Sequence, residues 1–121
     1  GLIAFADAKF EPGVELILKE AGFHQKLQRA QLVFTGEGSV DHQTAFGKGP
    51  AGVAEAAVGQ GIPVYCFAGK IAPGAEEALK QVGFTSIIGI NPPDSPLEES
   101  LRLAYPRLKD ASARLFADHV Q

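Results

Sequence analysis

The chain has 121 residues, a formal net charge of −3 and a pI near 5.6, enough for one modest core and without the cationic surplus of a nucleic-acid or anionic-membrane surface. Its one cysteine excludes an internal disulfide and suits a reducing compartment, so a cytoplasmic setting is expected. Although 45% of the residues are hydrophobic, no apolar run approaches the roughly 20 residues that cross a bilayer and no signal peptide is visible, so no membrane partner is expected.

The opening Gly1-Leu2-Ile3-Ala4-Phe5-Ala6 starts inside a hydrophobic segment and reads as a truncation. Residues 1–30 are expected to form a helical lead-in from a preceding segment, and residues 31–121 the body of the domain. Pro12 at a first helical position and Gly22 past the end bracket a helix with Val14, Ile17, Leu18 and Ala21 at helical spacing. A short turn spans residues 25–29, then Gln31 to Thr35 reads as an apolar strand. A helix runs from Pro50 to about Gln60 and stops at Gly61; Pro63 to Ala68 is the second strand, with Cys66 buried and inert inside it. Loop follows from Gly69 to Gly74, then a helix from Ala75 to Val82 closed by Gly83, and a third strand from Thr85 to Ile90. Asn91-Pro92-Pro93-Asp94 is a rigid turn. Ser95 is expected to N-cap the last helix, with Pro96 first and Glu98 completing a capping box, and Pro106 to kink or break it near Tyr105. Strands alternating with helices predict an α/β fold with a parallel sheet. Ligands of such sheets bind beyond the carboxyl ends of the strands, where the segments after the three strands converge.

The segment from Gly36 to Lys48 is the chemical focus. Read as a strand-to-helix loop, it is two to three times the usual length of about 2–6 residues, and loops that long in compact domains are usually functional. It holds three glycines, two carboxylates (Glu37, Asp41), an amide (Gln43), a hydroxyl (Thr44) and Lys48. Glycines Gly36, Gly38 and Gly47 let backbone approach a ligand, and a following helix start suits phosphate. Two common phosphate motifs fail here. After Gly47-Lys48 a Walker loop needs a hydroxyl residue and finds Gly49, and a dinucleotide fingerprint needs a third glycine where Asp41 stands. Each residue also has a plain reading. Gly36 and Gly38 serve turns; Glu37 and Asp41 are solvated charges; Gln43 and Thr44 bond loop backbone, Thr44 as a local cap. Lys48 is harder to read that way, because a helix start disfavours a cation unless an anion lies between them. His24, His42 and His119 are too scattered to suggest a metal site.

The pattern Thr35-Gly36-Glu37-Gly38-x-x-Asp41-x-Gln43-Thr44-x-x-Gly47-Lys48-x-Pro50-x-Gly52-Val53-Ala54 resembles the type I glycerate kinase family. Lys9 to Glu15, Val64 to Gly69 and Ser95 to Leu101 resemble flanking segments of the same family. The resemblance covers essentially the whole chain but only about the C-terminal third of a family member. It departs from the family pattern at Ser39, Lys70 and Pro106. It implies a Rossmann- or flavodoxin-like three-layer αβα domain, assembled from both ends of a longer chain whose middle forms a second domain. Residues 31–121 would be the C-terminal part of that domain. The implied activity is transfer of the γ-phosphoryl group of ATP to a hydroxyl of D-glycerate, with Mg²⁺. Partners would be the two substrates and the rest of the same polypeptide, with room for a homo-oligomer.

Phosphoryl transfer needs positioning and charge neutralisation more than covalent participation. One carboxylate, Glu37 or Asp41, would hold Mg²⁺; the other, by preference Asp41, would accept the hydroxyl proton; Lys48 would neutralise phosphate or carboxylate. The competing expectation is a non-catalytic flavodoxin-like module that binds a small ligand or phosphate. Strands ending in Thr35, Ala68 and Ile90, rather than in acidic residues, count against a receiver domain. The absence of Trp, with two Tyr, counts against a flavin binder.

Overall fold

The computed structural model describes residues 13–46 and 49–119. Helices α1 (Gly13–Glu20) and α2 (Phe23–Leu27) precede strand β1 (Val33–Val40), which leads through a one-turn 3₁₀ segment (His42–Ala45) to α3 (Gly49–Val58). Strand β2 (Val64–Ile71), helix α4 (Ala75–Val82) and strand β3 (Ser86–Gly89) follow, then α5 (Leu97–Arg102) and α6 (Ala104–His119). The strands form one parallel sheet in the order β1-β2-β3, with Val33 opposite Val64 and Cys66 opposite Ile87. The α/β layering expected from the alternation of elements is the architecture of the chain.

The two faces of the sheet are filled differently. Residues Val64 to Ala68 of β2 are all buried, and alternation along a strand sends them to opposite sides. Val64, Cys66 and Ala68 join Val33, Ile87, Phe84 and Leu27 against Ala54 and Ala57 of α3 and Leu79 of α4. Ala51, Ala54 and Ala57 recur every third residue of α3 and are fully buried, and their small side chains let the helix lie close to the sheet. The other face is aromatic. Phe34 meets Tyr65 and Phe67 at ring-centroid distances of 6.0 and 5.8 Å, and Phe116 of α6 meets Phe34 edge-on at 5.3 Å.

The strands outrun their expected ends. Gly36 to Val40 belongs to β1 and Gly69 to Ile71 to β2, so neither stretch is loop. The glycines explain why. A Cβ on Gly69 would lie 2.6 Å from the Gly38 carbonyl oxygen, so here the glycine lets two backbones approach rather than making a turn. The Cα pairing runs from Val33–Val64 to Glu37–Ala68 and resumes at Ser39–Lys70. Val40 is fully buried in the same cluster as Val33, seven residues away, an odd spacing that strict alternation would place on opposite faces. The alternation therefore slips where Gly38 meets Gly69.

The end of the chain also differs from expectation. The last helix breaks at Leu103, three residues ahead of Pro106, and Pro106 sits in the first turn of α6, where a missing N–H is tolerated. Pro96, not Ser95, is the N-cap residue of α5, with no side-chain cap, and the Ser95 hydroxyl accepts from Arg107 at 3.1 Å. Helix α4 matches its expected span. It ends on Gly83, whose φ of 121° is open to glycine and whose missing Cβ makes room for Val58.

Two consequences are measurable. Gly69→Ala should destabilise by about 1–3 kcal/mol, the usual range for forced overpacking, whereas Gly38→Ala, with nothing within 4 Å of its new Cβ, should stay within about 0.5 kcal/mol. Urea denaturation compares them, and equal losses would refute the close approach. Burial, aided by the Glu37 charge, pushes the Cys66 thiol up to about 11 from 9.0. Because the folded value is raised, this contribution to stability is full below pH 9 and is lost as the pH rises through about 11. At pH 8 native Cys66 should therefore react with a thiol reagent at least 100-fold more slowly than in urea, since the thiolate is the nucleophile. Comparable native and denatured labelling rates would contradict a buried thiol.

Candidate functional site

A cleft opens on the aromatic side of the sheet, between the ends of the strands and the last two helices. The run from Phe34 to Ser39 forms one wall, Gly69 to Ile71 the floor, and Asn91 to Pro93 with Leu97, Leu101 and Leu108 the other wall. Among its lining residues the charged ones are Glu37 and Lys70. Ser39 and Lys70 are register partners, and Glu37 lies opposite Ala68. The charged lining residues both belong to strands, and the helical side is uncharged, with Ser95, Ser100 and Ser112 among its leucines.

Gly36 and Gly38 flank Glu37 in extended backbone. Neither has a positive φ. A Cβ on Gly36 would meet the Phe67 carbonyl at an ordinary 3.6 Å, and one on Gly38 would meet nothing within 4 Å. Neither glycine is demanded by the fold through its own side-chain space.

Asp41 lies one residue past β1 and caps the 3₁₀ segment. Its Oδ1 accepts from the Gln43 and Thr44 backbone N–H groups at 2.8 and 3.2 Å, and the Thr44 hydroxyl lies 3.4 Å away. The Asp41 N–H in turn donates to Thr44 Oγ1 at 3.1 Å, which closes a reciprocal capping box. Among the described residues every hydrogen bond to this carboxylate goes to Oδ1, so the turn fixes its direction without engaging Oδ2. Thr44 is 5% exposed and the Asp41 and Gln43 side chains reach solvent.

The structure therefore gathers Gly36, Glu37 and Gly38 at the cleft and leaves Asp41, Gln43 and Thr44 on the adjoining turn, outside its lining. Gly47 and Lys48 lie outside the described residues. Among the described residues no three His, Cys, Asp or Glu side chains gather as a metal-binding group. A magnesium ion held by one or two protein carboxylates plus phosphate oxygens does not need such a group. Glu37, exposed beside bare backbone, fits that lesser demand.

Sequence reasoning missed a polar cluster at the far wall. The Asn91 amide donates to the Gly69 carbonyl at 2.9 Å, and Arg107 Nη1 donates to Asn91 Oδ1 at 2.7 Å and Ser95 Oγ at 3.1 Å. Arg107 Nη2 pairs with Glu99 Oε1 at 2.8 Å. In an unbroken helix residues eight apart lie about 12 Å apart along the axis. The Glu99–Arg107 pair spans the break at Leu103, and no usual helical spacing in the sequence reveals it.

Comparison with known proteins identifies the family of the chain. The Glycerate kinase family matches residues 1–119. A glycerate kinase of Halalkalibacterium halodurans is 41% identical over 115 residues, covering 95% of this chain and 30% of that protein. A glycerate kinase of Bacillus subtilis is 37% identical over 85% of this chain and 27% of its own length. A glycerate 2-kinase of Escherichia coli is 30% identical over 96% of this chain and 30% of its own. The chain thus spans about 30% of the length of these relatives. The match over 119 residues, on a parallel α/β sheet with a glycine-flanked carboxylate at its cleft, places this chain in the glycerate kinase family.

Proposed function

We propose that this chain supplies, within a longer kinase polypeptide, one wall of a site that transfers the γ-phosphoryl group of ATP to a hydroxyl of D-glycerate. The observation that carries the reading is the bare Gly36-Glu37-Gly38 wall, whose glycines the fold does not require, in a chain of this family. The names of the curated relatives support glycerate as the acceptor. Residues 31–121 then form the C-terminal part of a Rossmann-like domain, and residues 1–30 lead into it.

Bound Mg²⁺–ATP would bring the phosphoryl group together with the divalent charge that balances it. The chain's own task is to place and balance charge. Glu37 would hold the metal, while the backbone of Gly36 and Gly38 admits phosphate oxygens without steric interference. Asp41, aimed by its bonds to the Gln43 and Thr44 amides, would take the hydroxyl proton on Oδ2. Gln43 and Thr44 shape that turn. Gly47 and Lys48 lead to α3, where the lysine would balance phosphate or the glycerate carboxylate. The same capping box favours a second reading, in which Asp41 and Thr44 only hold the turn and the chain is a non-catalytic phosphate- or small-ligand-binding module.

The two readings separate in the natural polypeptide that carries this chain. With D-glycerate and ATP–Mg²⁺, a coupled ADP-release assay should give turnover in the enzymic range of about 1–10³ s⁻¹. No glycerate-dependent ADP release would refute the kinase reading. Asn caps as well as Asp, so Asp41→Asn should keep stability, whereas Asp41→Ala should lose about 0.5–2 kcal/mol. If Asp41 is the base, Asp41→Asn should nevertheless lose about 10²–10⁴-fold in kcat. Unchanged kcat in that variant would leave Asp41 a cap and nothing more. Glu37→Gln should raise the Mg²⁺ concentration needed for half-maximal rate while leaving the melting temperature unchanged.

A further inference from the structure

The Arg107 cluster is remote from the glycine wall in sequence, yet it ends on the floor of the same cleft. Arginine carries donors only, so Asn91 must turn its amide oxygen toward Arg107 and its NH₂ group toward the Gly69 carbonyl. The chain of contacts is therefore directional: guanidinium to amide oxygen, amide nitrogen to the β2 carbonyl. The same guanidinium takes Ser95, so it bridges both ends of the Asn91-to-Ser95 turn, itself closed by the Ser95 N–H on the Pro92 carbonyl at 3.1 Å. The Arg107 side chain is 18% exposed, against 42% for Glu99, so the bonds to Asn91 and Ser95 are shielded and the ion pair is the outer one.

What this network holds is the peptide just ahead of Lys70, at the point where β2 passes too close to β1 for a side chain. We propose that Arg107 is a positioning residue for the cleft: through the Asn91 amide it fixes Gly69, and thereby where the Lys70 cation is presented beside Ser39. This deepens the kinase reading and rests on it for its catalytic consequence, though not for its structural one. Lys70 and Glu37 are the charged groups lining the described cleft, so an anionic substrate group is the one sensitive to that placement.

The test uses the natural polypeptide with Arg107→Ala, Arg107→Lys, Asn91→Ala and Glu99→Gln. Arg107→Ala and Asn91→Ala should each lower kcat/KM, by up to about 10²-fold for a misplacement near 1 Å, and their double variant should match the weaker single within about twofold. Arg107→Lys retains one donor and should recover part of the loss. Glu99→Gln, which removes only the outer ion pair, should stay within about fivefold. Amide hydrogen exchange should quicken at residues 69–71 in both alanine variants and not in Glu99→Gln. Multiplicative losses in the double variant, or a fall in melting temperature with kcat/KM and exchange unchanged, would overturn the proposal. If the wild-type polypeptide has no glycerate kinase activity, that result removes the kinase reading alone. The exchange measurement still decides on Arg107, with faster exchange supporting it and unchanged exchange overturning it.

Discussion

Where Gly38 and Gly69 meet, two neighbouring strands come closer than a side chain on the second would permit, and much of the molecule follows from that contact. Ahead of it the strands alternate normally, with Val33, Val64 and Cys66 turned into the alanine-lined core. Beyond it the alternation has slipped, so that Val40 reaches that core and the strands continue as paired backbone to Ile71. The slip lets β1 carry four consecutive exposed residues, Gly36 to Ser39, and still end anchored. An uninterrupted amphipathic strand would alternate these positions between core and solvent. The cleft wall exists because the anchoring valine lies past the slip.

The order of elements was readable because it rests on local chemistry. Apolar runs flanked by glycine and proline, and helical spacing of alanine and leucine, depend on no distant partner, and α4 followed its predicted span. The ends of β1 and β2 were not readable for the opposite reason. Gly36, Gly38 and Gly69 look like turn residues until a partner strand explains the last of them by contact rather than by φ. At the site, a glycine-flanked carboxylate stood out by composition, and the structure does place Glu37 at the cleft. Arg107 did not stand out, since an arginine in a charged helix is commonplace. Its contacts reach back 16, 12 and 8 residues, to Asn91, Ser95 and Glu99, which no local pattern in the sequence brings together.

The Asp41 turn shows how one residue can satisfy local folding and still remain chemically capable. Backbone amides hold one carboxylate oxygen, and the reciprocal bond from the Asp41 N–H to Thr44 fixes the turn from the other side. Such a carboxylate loses little rotational freedom on meeting a ligand, because folding has already taken it. The glycine wall differs in kind. Two of its three residues offer backbone alone, and all three are exposed.

The unequal faces of the sheet bear on how the molecule opens. On the α3–α4 side the helices are joined to the strands by a continuous buried cluster. Among the described residues, α6 on the other side is fastened by a polar clip at Arg107 and, nine residues on, by the edge of Phe116 against Phe34. Tyr105 between α5 and the clip is 77% exposed, and Leu108 just past it 42%. Segments with so little buried apolar contact detach at free energies well below that of global unfolding. Among the described elements the lower-cost excursion is therefore detachment of α6 from an intact sheet, which would widen the mouth of the cleft while leaving its strand wall in place.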